Sequence, residues 1–154
     1  MAKGTERFEQ AAREAGLSPD VRRFPEGTRT AEAAARAVGC EIGQIVKSLV
    51  FMAGEEPFLA LTSGSNRADV GRLAALVGRK VRRATPEEAR GATGFAIGGT
   101  APFGHPARLR VLIDRDLLAY PEVWAAAGAP DAVFSITPTD LVRASGGVWA
   151  DFRA

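Results

Sequence analysis

Hydrophobic residues recur along the chain with two periods, one typical of helices and one typical of strands. Near the start, Phe8, Ala11 and Ala15 fall on one side of a helix that Gly16 ends. Capping residues and the same spacing predict helices at 5–15, 30–39 (capped by Thr30), 69–77 (capped by Asp69), from Thr85 and from Thr137. β-Branched and aromatic runs predict strands at 21–24, 45–52, 58–62, 80–83, 110–113, 133–136 and around Val148.

The order of these elements determines the expected fold class. Helices and strands are interleaved, and no repeat, linker or low-complexity segment divides the chain. The strands are too interleaved for a simple sandwich. We therefore expect one α+β domain over residues 1–154.

Composition excludes several classes of protein. The chain has 154 residues, 46% of them hydrophobic and 25% charged, which is typical of one soluble domain. A single cysteine, Cys40, excludes an internal disulfide and favours a reducing compartment. One histidine and one cysteine cannot form a structural zinc site, so we expect neither metal nor cofactor. Residues 91–107 form the longest uncharged stretch, which glycines and prolines interrupt. We expect no membrane span and, without an apolar signal core, a cytoplasmic location.

Positive charge is concentrated in one segment. The whole chain carries +2, whereas residues 67–90 hold seven basic and three acidic residues. Such a zone is typical of a surface that contacts phosphates, although a solvated arginine-rich helix and strand would have the same composition. The candidate contacts to a nucleic acid are Arg67, Arg79, Lys80, Arg82 and Arg83.

Lys47 is unusual because it lies within an apolar strand. It is one of three lysines among 20 basic residues, and strand alternation places it with Leu49 and Phe51. Burying an ammonium costs several kcal/mol unless a partner or an anionic ligand compensates. Lys47 is therefore interpreted as a functional residue. The alternatives are that it extends to solvent at a strand end or pairs with a buried acid.

Glycines and prolines mark a second candidate feature, the loop 94–105. Gly98 and Gly99 allow backbone amides to approach an anion or an oxyanion closely, and Phe103 is a candidate pocket wall. The loop matches neither a Walker A motif nor a dinucleotide fingerprint. His105 is either a proton carrier or a surface imidazole. A third patch, 62–67, either contributes Ser63 and Asn66 to a site or only caps the following helix.

The helix start 30–34, the strand 45–51 and the loop 94–105 occur in an order and at a spacing that resemble a known family. The sequence resembles the YbaK-like aminoacyl-tRNA deacylases, which are related to the editing domain inserted in bacterial prolyl-tRNA synthetases. The resemblance implies a mixed, barrel-like sheet flanked by helices and a pocket for the 3′ end of mischarged tRNA. It also implies that Lys47 is the family's essential lysine and that Gly98 and Gly99 shape the amino-acid pocket. Ala101 stands where cysteinyl-tRNA deacylases have serine, which favours a broader class of small amino acids.

The predicted function is hydrolysis of tRNA that carries alanine, 2-aminobutyrate, cysteine or serine, with tRNA(Pro) as the expected tRNA and a synthetase as an expected partner. The catalytic candidates are Lys47, Gly98 and Gly99. The candidates for substrate binding are Thr30, Phe51, Ser63, Asn66, Ile97, Thr100, Ala101, Pro102, Phe103 and His105. A non-catalytic module that binds tRNA or a nucleotide is the alternative, and a small-molecule hydrolase is a third class.

Overall fold

Side-chain caps determine where most helices begin. A computed structural model describes residues 2–28 and 30–154. Its α-helices are α1 (Ala2–Glu14), α2 (Ala31–Val38), α3 (Val70–Val77), α4 (Pro86–Thr93) and α5 (Pro138–Ser145). Thr30, Asp69, Thr85 and Thr137 each accept a hydrogen bond from a backbone N–H in the first turn of the helix that follows. The caps predicted from the sequence are therefore confirmed. None of the helices in this described part of the chain is long and apolar enough to cross a membrane.

The strands form two sheets. They are β1 (Arg22–Arg23), β2 (Val46–Ala53), β3 (Glu56–Ser63), β4 (Val81–Arg83), β5 (Arg110–Asp114), β6 (Val123–Ala126), β7 (Ala132–Ile136) and β8 (Val148–Ala150). One sheet has the order β4-β2-β3-β5-β8, with β3, β5 and β8 parallel, and the other has the order β1-β7-β6. β2 and β3 form an antiparallel hairpin closed by the turn at Gly54 and Glu55. The alanine-rich strand β6 was not predicted.

The α+β class is confirmed, but the barrel-like closure is wrong. The two sheets meet at one isolated bridge, between Ile45 and Trp124, and remain separate. β4 pairs with only three residues of β2, Phe51 to Ala53. The edge of β2 from Val46 to Val50 therefore has no strand partner on that side among the described residues.

Large apolar side chains pack on both faces of the five-stranded sheet. On one face, the rings of Phe8, Phe103 and Phe134 contact one another with centroids 4.4–6.0 Å apart. On the other face, Phe51 stacks on Phe58 in a cluster that includes Leu73 of α3. The first cluster includes Val46 and Val50 of the unpaired edge of β2, whereas Lys47, Ser48 and Leu49 between them are only partly buried. The sheet is thus anchored on each side while that edge remains accessible.

Candidate functional site

A cavity of about 740 Å³ lies along the unpaired edge of β2, and we call it the β2 cavity. All five residues from Val46 to Val50 line it. The lining also includes residues of α2, the loop after β3, the start of α4, the loop 94–105 (the glycine-rich loop) and β6. This volume is typical of sites that enclose a small molecule or the end of a larger one. The structure therefore places one large concave site where the sheet is incomplete.

Lys47 lies in the wall of the β2 cavity. Its Nζ atom donates a hydrogen bond of 2.7 Å to the main-chain carbonyl oxygen of Asn66. The side chain is half-buried, so the expectation of an ammonium enclosed within the sheet is corrected to one held at a cavity wall. Burial lowers the pKa of Lys47, the charges of Arg67 and Arg83 lower it further, and those of Glu32 and Asp114 oppose the shift.

The loop after β3 fixes the acceptor for Lys47. The side-chain Nδ2 of Asn66 donates to Oδ2 of Asp114 over 2.9 Å and to Oδ2 of Asp116 over 2.8 Å. Asn66 lines the β2 cavity, although its amide group is already bonded within the protein. Ser63 is buried, its Oγ donates to the carbonyl oxygen of Gly43, and it does not reach the cavity. The Oγ of Ser63 is thus already bonded within the protein, and its role as a substrate contact stays a prediction.

The glycine-rich loop contributes Ile97, Gly98 and Thr100 to the cavity. Ile97 is 52% exposed, which is unusual for isoleucine and consistent with a wall open to solvent. Gly99 is buried instead, and its N–H donates to the carbonyl oxygen of Ala96. A Cβ atom at Gly99 would lie 2.7 Å from the backbone of Ala129. The Gly99 amide therefore closes a turn within the loop, and the catalytic role of Gly99 stays a prediction.

The residues after Thr100 turn into the core. Ala101, Pro102 and Phe103 are buried, and Phe103 packs against Phe8 and not against the cavity. Phe51 is likewise a core residue, 3% exposed. These four residues do not line the β2 cavity, and the two phenylalanines fill the two hydrophobic clusters instead. Their role in substrate binding stays a prediction.

His105 holds the far end of this loop. Its Nε2 lies 3.0 Å from the carbonyl oxygen of Ala101, and the ring meets Phe95 edge-on. Burial lowers the pKa of His105, although the Ala101 carbonyl opposes that shift. The imidazole does not line the β2 cavity, and its contacts in this structure are with Ala101 and Phe95. Its role in substrate binding stays a prediction.

The basic zone divides into two groups. Arg67 and Arg83 line the β2 cavity, as does Thr30 at the start of α2. The predicted contacts Arg79 and Arg82 pair with carboxylates outside it, Arg79 with Glu56 over 2.6 Å and Arg82 with both carboxylate oxygens of Glu88 over 2.8 Å. Lys80 is exposed at the edge of the sheet, away from the cavity lining.

Sequence reasoning missed several residues of the cavity. Trp124 to Ala126 of β6 form part of one wall, and Glu32 of α2 is the one carboxylate among the described lining residues. Ser48 has a buried Oγ with no hydrogen-bond partner among the described residues. The signal in the sequence that could have identified Ser48 is its position next to Lys47 on the same strand.

Comparisons with known proteins define the class. Residues 25–144 match the aminoacyl-tRNA editing domain, so the chain belongs to this family and the predicted resemblance is confirmed. The crystal structure of a proposed trans-editing enzyme for prolyl tRNA synthetase superposes with a TM-score of 0.94 at 48% identity, covering 100% of this chain and 99% of that one.

Two curated relatives are similar over most of their length. Protein YwhH of Bacillus subtilis (strain 168), named as uncharacterized, is 32% identical over 86% of this chain and 85% of its own. A proposed Cys-tRNA(Pro)/Cys-tRNA(Cys) deacylase, EbsC, of Enterococcus faecalis (strain ATCC 700802 / V583) is 28% identical over 74% of this chain and 76% of its own. The family match over residues 25–144 includes all the elements that line the β2 cavity.

Proposed function

We propose that this protein is a trans-acting deacylase that hydrolyses the ester between a small amino acid and the 3′ end of mischarged tRNA. Three observations support tRNA(Pro) as the tRNA. They are the family, the similarity to a proposed trans-editing enzyme for prolyl tRNA synthetase, and the similarity to EbsC, whose name refers to Cys-tRNA(Pro). The reaction then belongs in the cytoplasm, beside the synthetase that produces the mischarged tRNA. The observation that carries the proposal is the Lys47 ammonium at the wall of the β2 cavity.

The chemistry requires little more than positioning and charge. An aminoacyl ester is already activated, so water attacks its carbonyl carbon, the bond to the ribose oxygen breaks, and that oxygen takes a proton. The ammonium of Lys47 has donors besides the one bonded to Asn66, and it stabilises the oxyanion that develops on the ester. Gly98, which also lines the cavity, lets the backbone of the loop approach the substrate closely.

The charges of the cavity match those of an aminoacylated 3′ end. Its phosphates are anionic, and Arg67 and Arg83 supply cations that contact them. The free amino group of the substrate is cationic at neutral pH, and Glu32 supplies the complementary carboxylate. This arrangement explains why a single acid lies among the cations that line the cavity.

Selectivity for small amino acids is steric. The apolar part of the wall includes Ala31, Ala34, Val38, Ile45, Trp124 and Val133. One methylene changes binding by only about 1–3 kcal/mol, so such a pocket acts as a second sieve after the synthetase has selected by size.

The test is turnover of a panel of charged tRNAs by purified protein. We expect catalytic amounts to release alanine, 2-aminobutyrate, serine or cysteine from tRNA(Pro), and Lys47→Ala to reduce kcat/KM at least about a hundredfold. Lys80→Ala is the matched control, because Lys80 lies outside the cavity. Full activity of Lys47→Ala would remove the catalytic assignment. Protection of the ester without turnover would favour the non-catalytic binding module.

A further inference from the structure

We propose that Asp114, at the end of β5, is a positioning residue that holds the Lys47 ammonium in the β2 cavity through Asn66. The inference rests on the proposed function, because it assigns Asp114 a role through the lysine that acts on the substrate. No atom of Asp114 lines the cavity, so the carboxylate acts from behind the wall.

Asp114 is a buried carboxylate with a full set of hydrogen bonds. It is 3% exposed, and its Oδ2 accepts from the N–H of Ser63 over 3.0 Å and from Nδ2 of Asn66 over 2.9 Å. Its Oδ1 accepts from the N–H of Asp116 over 2.9 Å. Burying a carboxylate is costly unless such bonds compensate. Asp114 therefore fixes both ends of the segment from Ser63 to Asn66.

Asn66 links Asp114 to Lys47 by hydrogen bonds. Its side-chain amide donates to Asp114 and to Asp116, whose Oδ2 also accepts from Arg153 over 2.9 Å. With the amide held on both sides, the main-chain carbonyl of Asn66 has one orientation, in which it accepts from Lys47 over 2.7 Å. A lysine side chain is long and flexible, so an anchored acceptor determines where its charge lies.

The charged groups around Lys47 connect the role of Asp114 to a measurable quantity, the pKa of Lys47. Four such groups act on it, namely Glu32 of α2, Arg67 after β3, Arg83 of β4 and Asp114 of β5. The two arginines favour the neutral amine, and the two acids favour the ammonium. Neutralising Asp114 removes one of the two favourable charges and also releases the carbonyl acceptor. Both effects lower the pKa of Lys47.

The experiment combines amine labelling with deacylation kinetics for Asp114→Asn. Lys47 is one of three lysines, so pH-dependent acylation of each is read by mass spectrometry, with exposed Lys80 as the internal reference. We expect the labelling midpoint of Lys47 to move to lower pH, because a charge that favours the ammonium is removed. We also expect kcat to fall about tenfold to a hundredfold while KM changes less than about twofold, because the ammonium is misplaced but the cavity is retained.

Two further variants keep the proposal falsifiable. Asn66→Ala removes the anchored amide without creating a buried unpaired charge, and we expect the same direction of change even if Asp114→Asn folds poorly. Asp140→Asn, a partly exposed carboxylate paired with Arg143 on α5, is the control and leaves both readouts unchanged. An unchanged midpoint and kcat in folded Asp114→Asn or in Asn66→Ala would overturn the proposal. The labelling result is independent of turnover, so full activity of Lys47→Ala would overturn the proposed function and not this contact.

Discussion

Gly99 provides the sharpest test of how the glycine-rich loop is built. The loop presents Gly98 and Thr100 to the β2 cavity, whereas Gly99 between them faces the backbone of Ala129. We predict that Gly99→Ala destabilises the protein and displaces its two neighbours from the cavity wall. A methyl group is the smallest possible perturbation, so the result reports on the space at that position.

The magnitude follows from the contacts of the added atom. An ideal Cβ at Gly99 lies 2.7 Å from both Cα and C of Ala129 and 2.9 Å from its N. All three atoms are backbone, so the loop must move by several tenths of an ångström. Overpacking of this kind costs about 1–3 kcal/mol. For a chain of this length, 1 kcal/mol shifts Tm by about 2–4 °C, so the expected decrease is about 2–12 °C.

Thermal denaturation and deacylation kinetics measure the two effects separately. Gly91→Ala is the matched control, because Gly91 lies within α4 and its added Cβ meets nothing within 4 Å. Alanine favours a helix over glycine by about 0.5–1 kcal/mol, so this control raises Tm slightly. Gly99→Ala with the Tm and kcat of the unmodified protein would refute the close packing of the loop.

Three further predictions concern the cavity and the basic zone. Ser48→Ala retains or slightly raises Tm, because it removes a buried hydroxyl that has no hydrogen-bond partner among the described residues. We expect the same variant to raise KM several-fold in deacylation kinetics, because the substrate supplies that partner. Arg83→Ala lowers the slope of log Kd against log salt by about 1, whereas Arg79→Ala leaves it unchanged. The hydrogen bond from Arg82 is the main reason why the pKa of Glu88 is lowered from 4.5 to about 2. The ionised carboxylate therefore stabilises the fold fully above pH 4.5, and this stabilisation disappears as the pH falls toward 2. Denaturant unfolding of Glu88→Gln therefore shows a flatter dependence on pH in that window.

Local rules were sufficient to predict the helices and most strands. Thr30, Asp69, Thr85 and Thr137 cap helices because their side-chain oxygens reach the first-turn N–H groups, which is an interaction within three residues. Strand β6 was missed because its alanines carry no β preference. It forms through pairing with β7, a contact that local sequence does not encode.

Side-chain direction limited the prediction of the site. The sequence identifies Lys47 as an anomalous cation, yet it cannot tell whether an aromatic residue such as Phe103 faces the cavity or the core. The sequence also gives no basis for distinguishing the roles of Arg82 and Arg83, because the two arginines are adjacent in the chain. Arg83 lines the cavity, whereas Arg82 is held by Glu88. Only tertiary packing separates such neighbours.

One short segment explains why the sheet is open where the site lies. β4 pairs with β2 so that Arg83 is opposite Phe51, and the N–H of Ala84 still donates to the carbonyl oxygen of Val50. Continuing that register would place Pro86 opposite Ser48. Proline has no N–H to donate, and Pro86 instead starts α4 behind the capping box of Thr85. The edge of β2 beside Lys47 is therefore left uncovered by the same residues that begin the next helix, and Pro86 lines the cavity that results.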